Sequence, residues 1–405
     1  MRSNLETTKN IISLIIFLPI LIIFFFLRIF FKINIVEIET RAIGHYSYPI
    51  EIFICEIKNN IHEKKLYFAF RNKVLVNNFL YEKVKKNFII FPRFILQPIF
   101  KFYNHVYIYP FIGKYYLSDF RHWTRNFRSS TPSQQIDIHG VLEKTPPLIN
   151  FSEIEKKKGF SELQKINIHK NDKFICIHPR TPDFYLKNKI INKFNYQLRD
   201  SRKFNFDKTS NYLNEKKIKC VLLGEFRKNF KINKNIIYYN NSDVKSDFLD
   251  IFLLSRCKYL IGDSSGMSMA PMIFRKKSLY TNVSELHTMD TLDSIYKPII
   301  ILKKFISLKT GEHIPYPLVL EKKLSEITHI NKLNDLGYDV VENSEEEVFE
   351  AVKEMDYFID KNEHLNFDIN LEKKFNDLLL KTNRKILYKN KISNYFLKKN
   401  SFLLE

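Results

Sequence analysis

Short apolar segments separated by helix-forming stretches recur along the second half of this chain, and they constrain its fold most. They read KFICIHPR, KCVLLGEF, IIYYN, KYLIGD and KSLYTN, and the amphipathic pattern SDFLDIFLLSRC lies directly before KYLIGD. Apolar runs of this length suit buried strands, and the longer pattern repeats with helical period. Strands that alternate with helices predict an α/β fold around a parallel sheet.

The first half shows a weaker version of the same alternation. INIVEIETRAIGHYSYPIEIFICEIKNN predicts a strand, a turn with Gly44 and His45, and a helix that begins near Pro49, while KKLYFAF and HVYIYPF predict further strands. A chain of 405 residues is longer than one hydrophobic core usually serves. We therefore predict an N-terminal Rossmann-like domain over 33–150, a C-terminal Rossmann-like domain over 151–355 and a helical tail over 356–405. ENSEEEVFEAVKEM predicts a helix that Ser344 and Glu347 begin as a capping box.

An apolar run precedes the first predicted domain. Residues 11–31 read IISLIIFLPILIIFFFLRIFF, about the ~20 residues that a helix needs to cross a bilayer. No small-residue cleavage site follows, so we predict a retained transmembrane helix within an anchor over 1–32. The four cysteines form no CxxC pair and are typical of buried free thiols in a reducing compartment. This favours an inner-membrane, single-pass protein whose domains lie in the cytoplasm.

Charge and composition exclude some partners. The chain carries 65 Lys and Arg against 44 Asp and Glu, but the basic residues are scattered and no nucleic-acid-reading motif accompanies them. Nucleic acid is therefore not a predicted partner, whereas anionic ligands such as nucleotide diphosphates suit a basic surface. His287, Asp290 and Asp293 have helical spacing, yet nothing else supplies the remaining ligands of a metal site. The sequence predicts no metal and no cofactor.

A small-residue turn follows the strand YLIG. The stretch YLIGDSSGMSMAPMIFRKKSLYTN, Tyr259 to Asn282, places Ser264, Ser265 and Gly266 between that strand and a helix predicted from about Met267 to Phe274. Ligands of open α/β sheets bind at the carboxyl ends of strands, and backbone N–H groups there suit phosphate. The alternative is that these serines only cap the following helix.

Two further strand ends carry polar residues. In CIHPRTPDFYLKN the strand delivers His178, Arg180 and Asp183 to the loop that follows, and the arginine fork matches phosphate oxygens. The alternative is that Arg180 and Asp183 form an ion pair that fixes the domain junction. In TRAIGHYS, Arg41, Gly44 and His45 follow the first strand of the first domain, where His45 is either a general base or a surface histidine.

Several segments resemble a group of bacterial glycosyltransferases of surface polysaccharide loci, related in plan to GT-B enzymes. They are FICIHPRTPDFYLKN, YQLRD, FLLSRCKYLIGDSSG, KKSLYTN, GYDVVENSEEEVFEAVKEM and KISNYFLKKNSFLLE. The group commonly has an acidic or small residue directly after the arginine, whereas TPDFY displaces Asp183 in this chain. The anchor is a second departure, since many relatives lack one.

The resemblance implies two Rossmann-like domains, with a nucleotide-sugar donor in the second and His45 facing the acceptor in the first. It implies catalytic roles for three residues, His45, Arg180 and Asp183. It implies binding roles for Arg41, Gly44, His178, Arg199, Ser264, Ser265, Gly266 and Asn282. GT-B enzymes usually need no metal, because basic side chains and helix ends stabilise the leaving diphosphate.

The predicted function is sugar transfer from a nucleotide sugar to a lipid-linked or polysaccharide acceptor in cell-surface glycan synthesis. Two alternatives remain open at this point. One is a membrane-tethered protein on a degenerate GT-B fold that binds glycan or nucleotide without turnover. The other is pyruvyl or phosphosugar transfer on a similar two-domain plan.

Overall fold

The computed structural model describes residues 33–61, 66–97, 137, 139–183, 197–203, 206–224, 233–286, 298–362, 368–380 and 391–405, with isolated positions between 18 and 30. Contacts between Cα atoms divide the chain into two compact units, Met1–Ile149 and Asn150–Glu405. The predicted strand HVYIYPF lies outside the described residues.

The first unit contains a three-stranded parallel sheet of order β1-β2-β3. Its strands are β1 Ile33–Ile38, β2 Leu66–Arg71 and β3 Ile89–Ile90, and its helices are α1 Tyr48–Lys58, α2 Asn78–Val84 and α3 Val141–Lys144. Helix α1 has Pro49 in its first turn, as the sequence predicts. Its fully buried Glu51 accepts hydrogen bonds from the backbone N–H groups of Leu148 (2.8 Å) and Ile149 (3.0 Å), which ties the end of the unit to this helix.

The second unit is built on a seven-stranded parallel sheet of order β13-β9-β8-β7-β4-β5-β6. Its strands are β4 Lys173–His178, β5 Ile218–Leu222, β6 Ile236–Tyr238, β7 Tyr259–Asp263, β8 Lys277–Val283, β9 Ile299–Leu302 and β13 Lys391–Ile392. A small antiparallel sheet consists of β10 Lys304–Ser307, β11 His313–Ile314 and β12 Tyr338–Val341. The first six strands of the large sheet follow the spatial order 3-2-1-4-5-6 of a doubly wound nucleotide-binding fold.

The helices of this unit begin where the sequence supplies caps. They are α4 Glu153–Lys165, α5 Asp207–Glu215, α6 Asp247–Arg256, α7 Gly266–Met269, α8 Tyr316–Glu321, α9 Ile330–Asp335, α10 Glu345–Lys361, α11 Ile369–Leu380 and α12 Asn394–Lys399. The predicted capping box of Ser344 and Glu347 is present, and the Ser246 hydroxyl caps α6 by accepting the Leu249 N–H. The predicted helix after the serine-glycine turn is α7 followed by a 3-10 turn over Ala270–Phe274.

The last residues differ from the predicted helical tail. The boundary at residue 356 falls inside α10, and β13 extends the large sheet by pairing with β9. Buried Glu354 accepts hydrogen bonds from the Ser393 hydroxyl (3.1 Å) and from the backbone N–H groups of Asn394 (2.9 Å) and Tyr395 (2.8 Å). The segment is thus part of the second unit, and its two-residue strand is too short to leave a periodic signal.

No helix among the residues described is long and apolar enough to cross a membrane. The predicted anchor over 11–31 lies outside them except for isolated helical, exposed positions such as Leu18 and Phe30. All four cysteines are buried and free. Cys55 lies in α1, Cys176 in β4, Cys220 in β5 and Cys257 directly after α6.

Candidate functional site

The direction in which the chain adds strands to the large sheet reverses between β4 and β7. Strands β5 and β6 extend from β4 to one side, and the chain then crosses over to build β7, β8 and β9 on the other side. His178 is in register with Gly262 of β7, so the carboxyl ends of the two strands lie side by side. Such a switch point is where open α/β sheets bind ligands, since the loops there diverge. The structure therefore brings His178 and the Ser264–Gly266 turn to one edge.

Asp263, the last residue of β7, organises the loops at this edge. Its fully buried carboxylate accepts hydrogen bonds from the Arg180 N–H (2.7 Å), the Ser201 hydroxyl (2.7 Å), the Thr281 hydroxyl (2.9 Å) and the Asn282 amide (3.2 Å). Burial raises the pKa of Asp263, and the hydrogen bonds oppose that rise. The sequence analysis missed this residue, although a carboxylate at the end of an apolar strand is a signal that could have found it.

The Ser264–Gly266 turn makes compact local contacts. The Ser265 hydroxyl accepts the Ser268 N–H (3.4 Å) as the cap of α7, and the Ser268 hydroxyl donates to the Asp263 carbonyl (2.7 Å). A Cβ on Gly262 would lie 2.7 Å from the Ser268 hydroxyl and 2.8 Å from the His178 carbonyl. The capping alternative is thus observed, and the close packing at Gly262 is between atoms of the protein itself, whereas the role of the turn in binding a ligand stays a prediction. Ser264 is buried and Gly266 is partly exposed.

His178 faces this turn. Its Nδ1 atom lies 3.3 Å from the Ser265 hydroxyl. Burial lowers the pKa of His178 to about 4, so the ring is neutral near pH 7. A neutral imidazole offers one donor and one acceptor, which suits hydrogen bonding to a ligand rather than charge neutralisation.

Arg180 lies deeper than the sequence analysis expected. Its side chain is 5% exposed and forms an ion pair with Asp200. The Asp200 carbonyl accepts a hydrogen bond from buried Lys303 (2.8 Å), and burial raises the pKa of the Asp200 carboxyl to about 6 while Arg180 and Lys303 oppose that rise. The sequence analysis did not identify Asp200 or Lys303, because only the tertiary fold brings them to Arg180. The predicted catalytic role of Arg180 stays a prediction, and the observed partner indicates that it fixes the loop after β4.

Two predicted binding residues lie near the carboxyl end of β8. Arg199, in a 3-10 turn over Gln197–Arg199, forms an ion pair with buried Glu285, which follows β8. Asn282 has a φ of 52° and exchanges hydrogen bonds with Asn343: the Asn282 N–H donates to the Asn343 side chain (2.6 Å) and the Asn343 N–H to the Asn282 side chain (2.9 Å). Asparagine tolerates this left-handed conformation better than most residues. Its amide groups are thus engaged within the protein.

The other predicted residues lie elsewhere. Asp183 is partly buried at the end of a described range. In the first unit, Gly44 and His45 lie in a 3-10 turn after β1, and the Arg41 Nε donates to Glu39 (2.7 Å) in an ion pair. His287, Asp290 and Asp293 lie outside the described residues. Among the residues that are described, no cluster of His, Cys, Asp and Glu could hold a metal ion.

Comparisons with known proteins add two weak likenesses. No family model matches the chain, and no curated protein sequence matches it. Among solved structures, a glycosyl transferase family 9 protein from Veillonella parvula DSM 2008 is 11% identical, with a TM-score of 0.43 over 80% of this chain and 96% of that one. MnaA from S. aureus, solved with UDP, is 11% identical, with a TM-score of 0.30 over 62% of this chain and 79% of that one. Both TM-scores are below 0.5, so neither likeness carries weight for fold or function.

Proposed function

We propose that the protein is a glycosyltransferase of GT-B plan whose second unit binds a nucleotide-sugar donor. One observation carries the proposal: the Ser264–Gly266 turn and His178 lie at the switch point of a sheet with the 3-2-1-4-5-6 strand order. That order and that position are typical of nucleotide-binding α/β domains. The resemblance of the sequence to glycosyltransferases of surface polysaccharide loci supports the same reaction class.

The chemistry assigned to each group follows from its position. The diphosphate lies against the backbone of the Ser264–Gly266 turn, where N–H groups and serine hydroxyls donate to its oxygens. Neutral His178 donates a further hydrogen bond. Arg199, from the 3-10 turn before α5, supplies a cation for phosphate, and its partner Glu285, just after β8, supplies a carboxylate for a ribose hydroxyl. As the bond from the anomeric carbon to phosphate breaks, these donors stabilise the charge on the leaving diphosphate.

Gly266→Val tests this assignment. We expect it to abolish the rise in melting temperature that a bound nucleotide sugar gives, because a β-branched side chain occupies the space of the diphosphate. The full chain, in detergent, is screened with UDP-glucose, UDP-N-acetylglucosamine, GDP-mannose, dTDP-glucose, ADP-glucose and a CMP-sugar. Ser161→Val is the matched control, since Ser161 is exposed in α4.

The outcomes separate the candidate functions. Normal nucleotide binding by Gly266→Val would mean that the turn only caps the following helix, and it would contradict diphosphate binding at the Ser264–Gly266 turn. Nucleotide binding without release of nucleoside diphosphate in the presence of acceptors would favour the non-catalytic binding protein. Transfer without such release would favour pyruvyl or phosphosugar transfer.

The membrane and acceptor assignments belong to the same proposal. We propose that residues 11–31 anchor the chain in the inner membrane with both units in the cytoplasm, where nucleotide sugars are made, and that the acceptor is a lipid-linked or polysaccharide glycan. Protease added to intact cells should then leave both units uncut, whereas it should cut them after lysis. Digestion in intact cells would contradict the orientation.

A further inference from the structure

A short segment of the second unit crosses the carboxyl edge of the large sheet beside the proposed donor site. It comprises residues 197–203, which we call the strap. The Ser201 N–H donates to the Arg180 carbonyl after β4 (2.8 Å), and the Ser201 hydroxyl donates to Asp263 at the end of β7 (2.7 Å). The two backbone N–H groups that follow in the strap donate to Glu342, directly after β12, at 2.5 and 3.0 Å. The strap therefore extends from the end of β4 past β7 to the small sheet.

The buried basic side chains along the strap already have carboxylate partners. Three ion pairs lie there: Arg180 with Asp200, Arg199 with Glu285, and Lys303 with Glu342. The exposed Arg202 is balanced in the same way by Asp339 (3.5 Å). Asp263 is a further carboxylate, and the hydrogen bonds that it accepts come from neutral groups. When these groups are all ionised, the edge carries an excess negative charge, which repels an anion such as a diphosphate.

Asp200 is the residue of the strap that can take up a proton near neutral pH. Burial raises the pKa of Asp200 to about 6, although Arg180 and Lys303 oppose that rise. Asp263 of β7 adds to the rise, and Arg199 of the strap itself opposes it. Protonation of Asp200 removes one negative charge from the edge and leaves the Arg180 guanidinium without its anionic partner.

The backbone of the strap does not depend on the Asp200 carboxylate. The Lys303 ammonium group donates to the Asp200 carbonyl (2.8 Å), and the Ser201 hydroxyl and N–H keep their acceptors on either side. The Arg180 N–H is held separately by Asp263 (2.7 Å). The charge of this pair can therefore change while the main-chain contacts of the strap and of the loop after β4 persist.

We propose that the Arg180–Asp200 pair is an autoinhibitory contact and that an anion binds Arg180 only when Asp200 takes up a proton. The proton comes from solvent and bonds to a carboxylate oxygen of Asp200. The negative charge of the anion then replaces that of the carboxylate beside the guanidinium. This inference rests on the proposed function, because the anion concerned is the diphosphate of the donor.

The coupling gives anion binding a defined pH dependence. Only the fraction of molecules with protonated Asp200 is competent to bind, and the apparent affinity is reduced by that fraction. Binding takes up a proton, so the affinity rises as the pH falls and levels off below the pKa of about 6. Between pH 7.5 and pH 5.5 we expect the affinity to rise about 20-fold.

Sulfate is the probe for this experiment, because its double negative charge is the same at both pH values, unlike that of inorganic diphosphate. Isothermal titration calorimetry of the full chain, in a nonionic detergent and at constant ionic strength, measures its Kd at pH 5.5 and 7.5. Titrations at pH 6.5 in MES and in imidazole, whose ionisation enthalpies differ, measure proton uptake, for which we expect about 0.5–1 proton per sulfate. Equal affinity at the two pH values, binding without proton uptake, or no binding at pH 5.5 would each overturn the inference.

Asp200→Asn keeps the shape of the side chain and removes the charge at every pH. We expect it to bind sulfate at least tenfold more tightly than the wild type at pH 7.5 and to lose the pH dependence. The double variant Arg180→Met with Asp200→Leu should bind sulfate at least tenfold more weakly than Asp200→Asn. Asp172→Asn is the matched control, since its partly exposed pair with Lys219 (2.7 Å) lies at the amino edge of the sheet, and it should keep the wild-type pH dependence.

The wild-type calorimetry decides the question even if Asp200→Asn does not fold. A folded Asp200→Asn protein with the wild-type pH dependence would assign that dependence to other groups, such as histidines, and would contradict the inference. Failure of every nucleotide sugar to bind would sink the proposed function, yet proton-linked sulfate binding would stand. Nucleotide-sugar binding with the same affinity at pH 5.5 and 7.5 would support the proposed function and overturn the coupling.

Discussion

Asp263→Ala is expected to lower the free energy of unfolding by about 3–5 kcal/mol, the range for removing one member of a buried charged network. The carboxylate is fully buried and accepts four hydrogen bonds, two from Arg180 and Ser201 in the segment between β4 and α5 and two from Thr281 and Asn282 near the end of β8. Without it, the Arg180 N–H, the two hydroxyls and the Asn282 amide lose their acceptor inside the protein. The loss exceeds that of a single hydrogen bond because all four are buried.

Chemical denaturation followed by circular dichroism measures this change. Asp172→Ala is the control, because the contacts of Asp172 are partly exposed: an ion pair with Lys219 (2.7 Å) and a hydrogen bond from the His169 N–H (2.7 Å). Exposed ion pairs contribute about 0–1 kcal/mol. The loss in the free energy of unfolding for Asp263→Asn should lie between those of Asp263→Ala and Asp172→Ala. The amide keeps the shape of the carboxylate but turns one acceptor into a donor. An Asp263→Ala protein as stable as the wild type would mean that these loops are held by other contacts.

Arg180→Met is expected to destabilise the protein by about 3–5 kcal/mol, because it leaves Asp200 buried without its guanidinium partner. Both side chains of this pair are largely inaccessible, at 5% and 11% exposure. Methionine keeps an unbranched apolar side chain of the length of the arginine's Cβ–Nε stem and removes the guanidinium with its charge and hydrogen bonds. The double variant Arg180→Met with Asp200→Leu should recover much of the loss, since no unpaired carboxylate remains.

The same variants separate the positioning role from the catalytic role that the sequence predicts for Arg180. Melting temperature and release of nucleoside diphosphate are measured for both single variants and the double variant. If Arg180 only fixes the loop after β4, turnover per folded molecule should return with stability in the double variant. A single variant with wild-type stability and no turnover would contradict the positioning role and place the guanidinium on the diphosphate.

Local patterns were enough to predict much of the second unit. The strands β4 to β8 and helix α6 follow from apolar runs and helical periodicity, and the start of α10 follows from its capping box. The serine-glycine turn was also placed correctly at the end of a strand, because strand and turn are adjacent in sequence. Periodicity and capping depend on residues within about one or two turns of each other, so a single sequence reports them.

The sequence alone could not predict which polar side chains pair with one another in the folded protein. The sequence pairs Arg180 with Asp183 as the local alternative, whereas the structure pairs Arg180 with Asp200, and it places Asp263 where three separate segments meet. The predicted binding role of Asn282 stays a prediction, and the structure pairs its backbone N–H and its side-chain oxygen with Asn343, 61 residues away. Which polar groups meet in a buried network depends on how the strands cross over, and no local pattern encodes that.

By itself, then, the amino-acid sequence determined the α/β class, most of the strands and helices of the second unit, and the position of the serine-glycine turn after β7. Only the tertiary structure decided the strand order, and with it the switch point between β4 and β7. It also decided that β13 completes the large sheet by pairing with β9. The reason is that backbone hydrogen bonds between parallel strands carry no side-chain signature of the neighbour, so the order of strands follows from packing of the whole sheet.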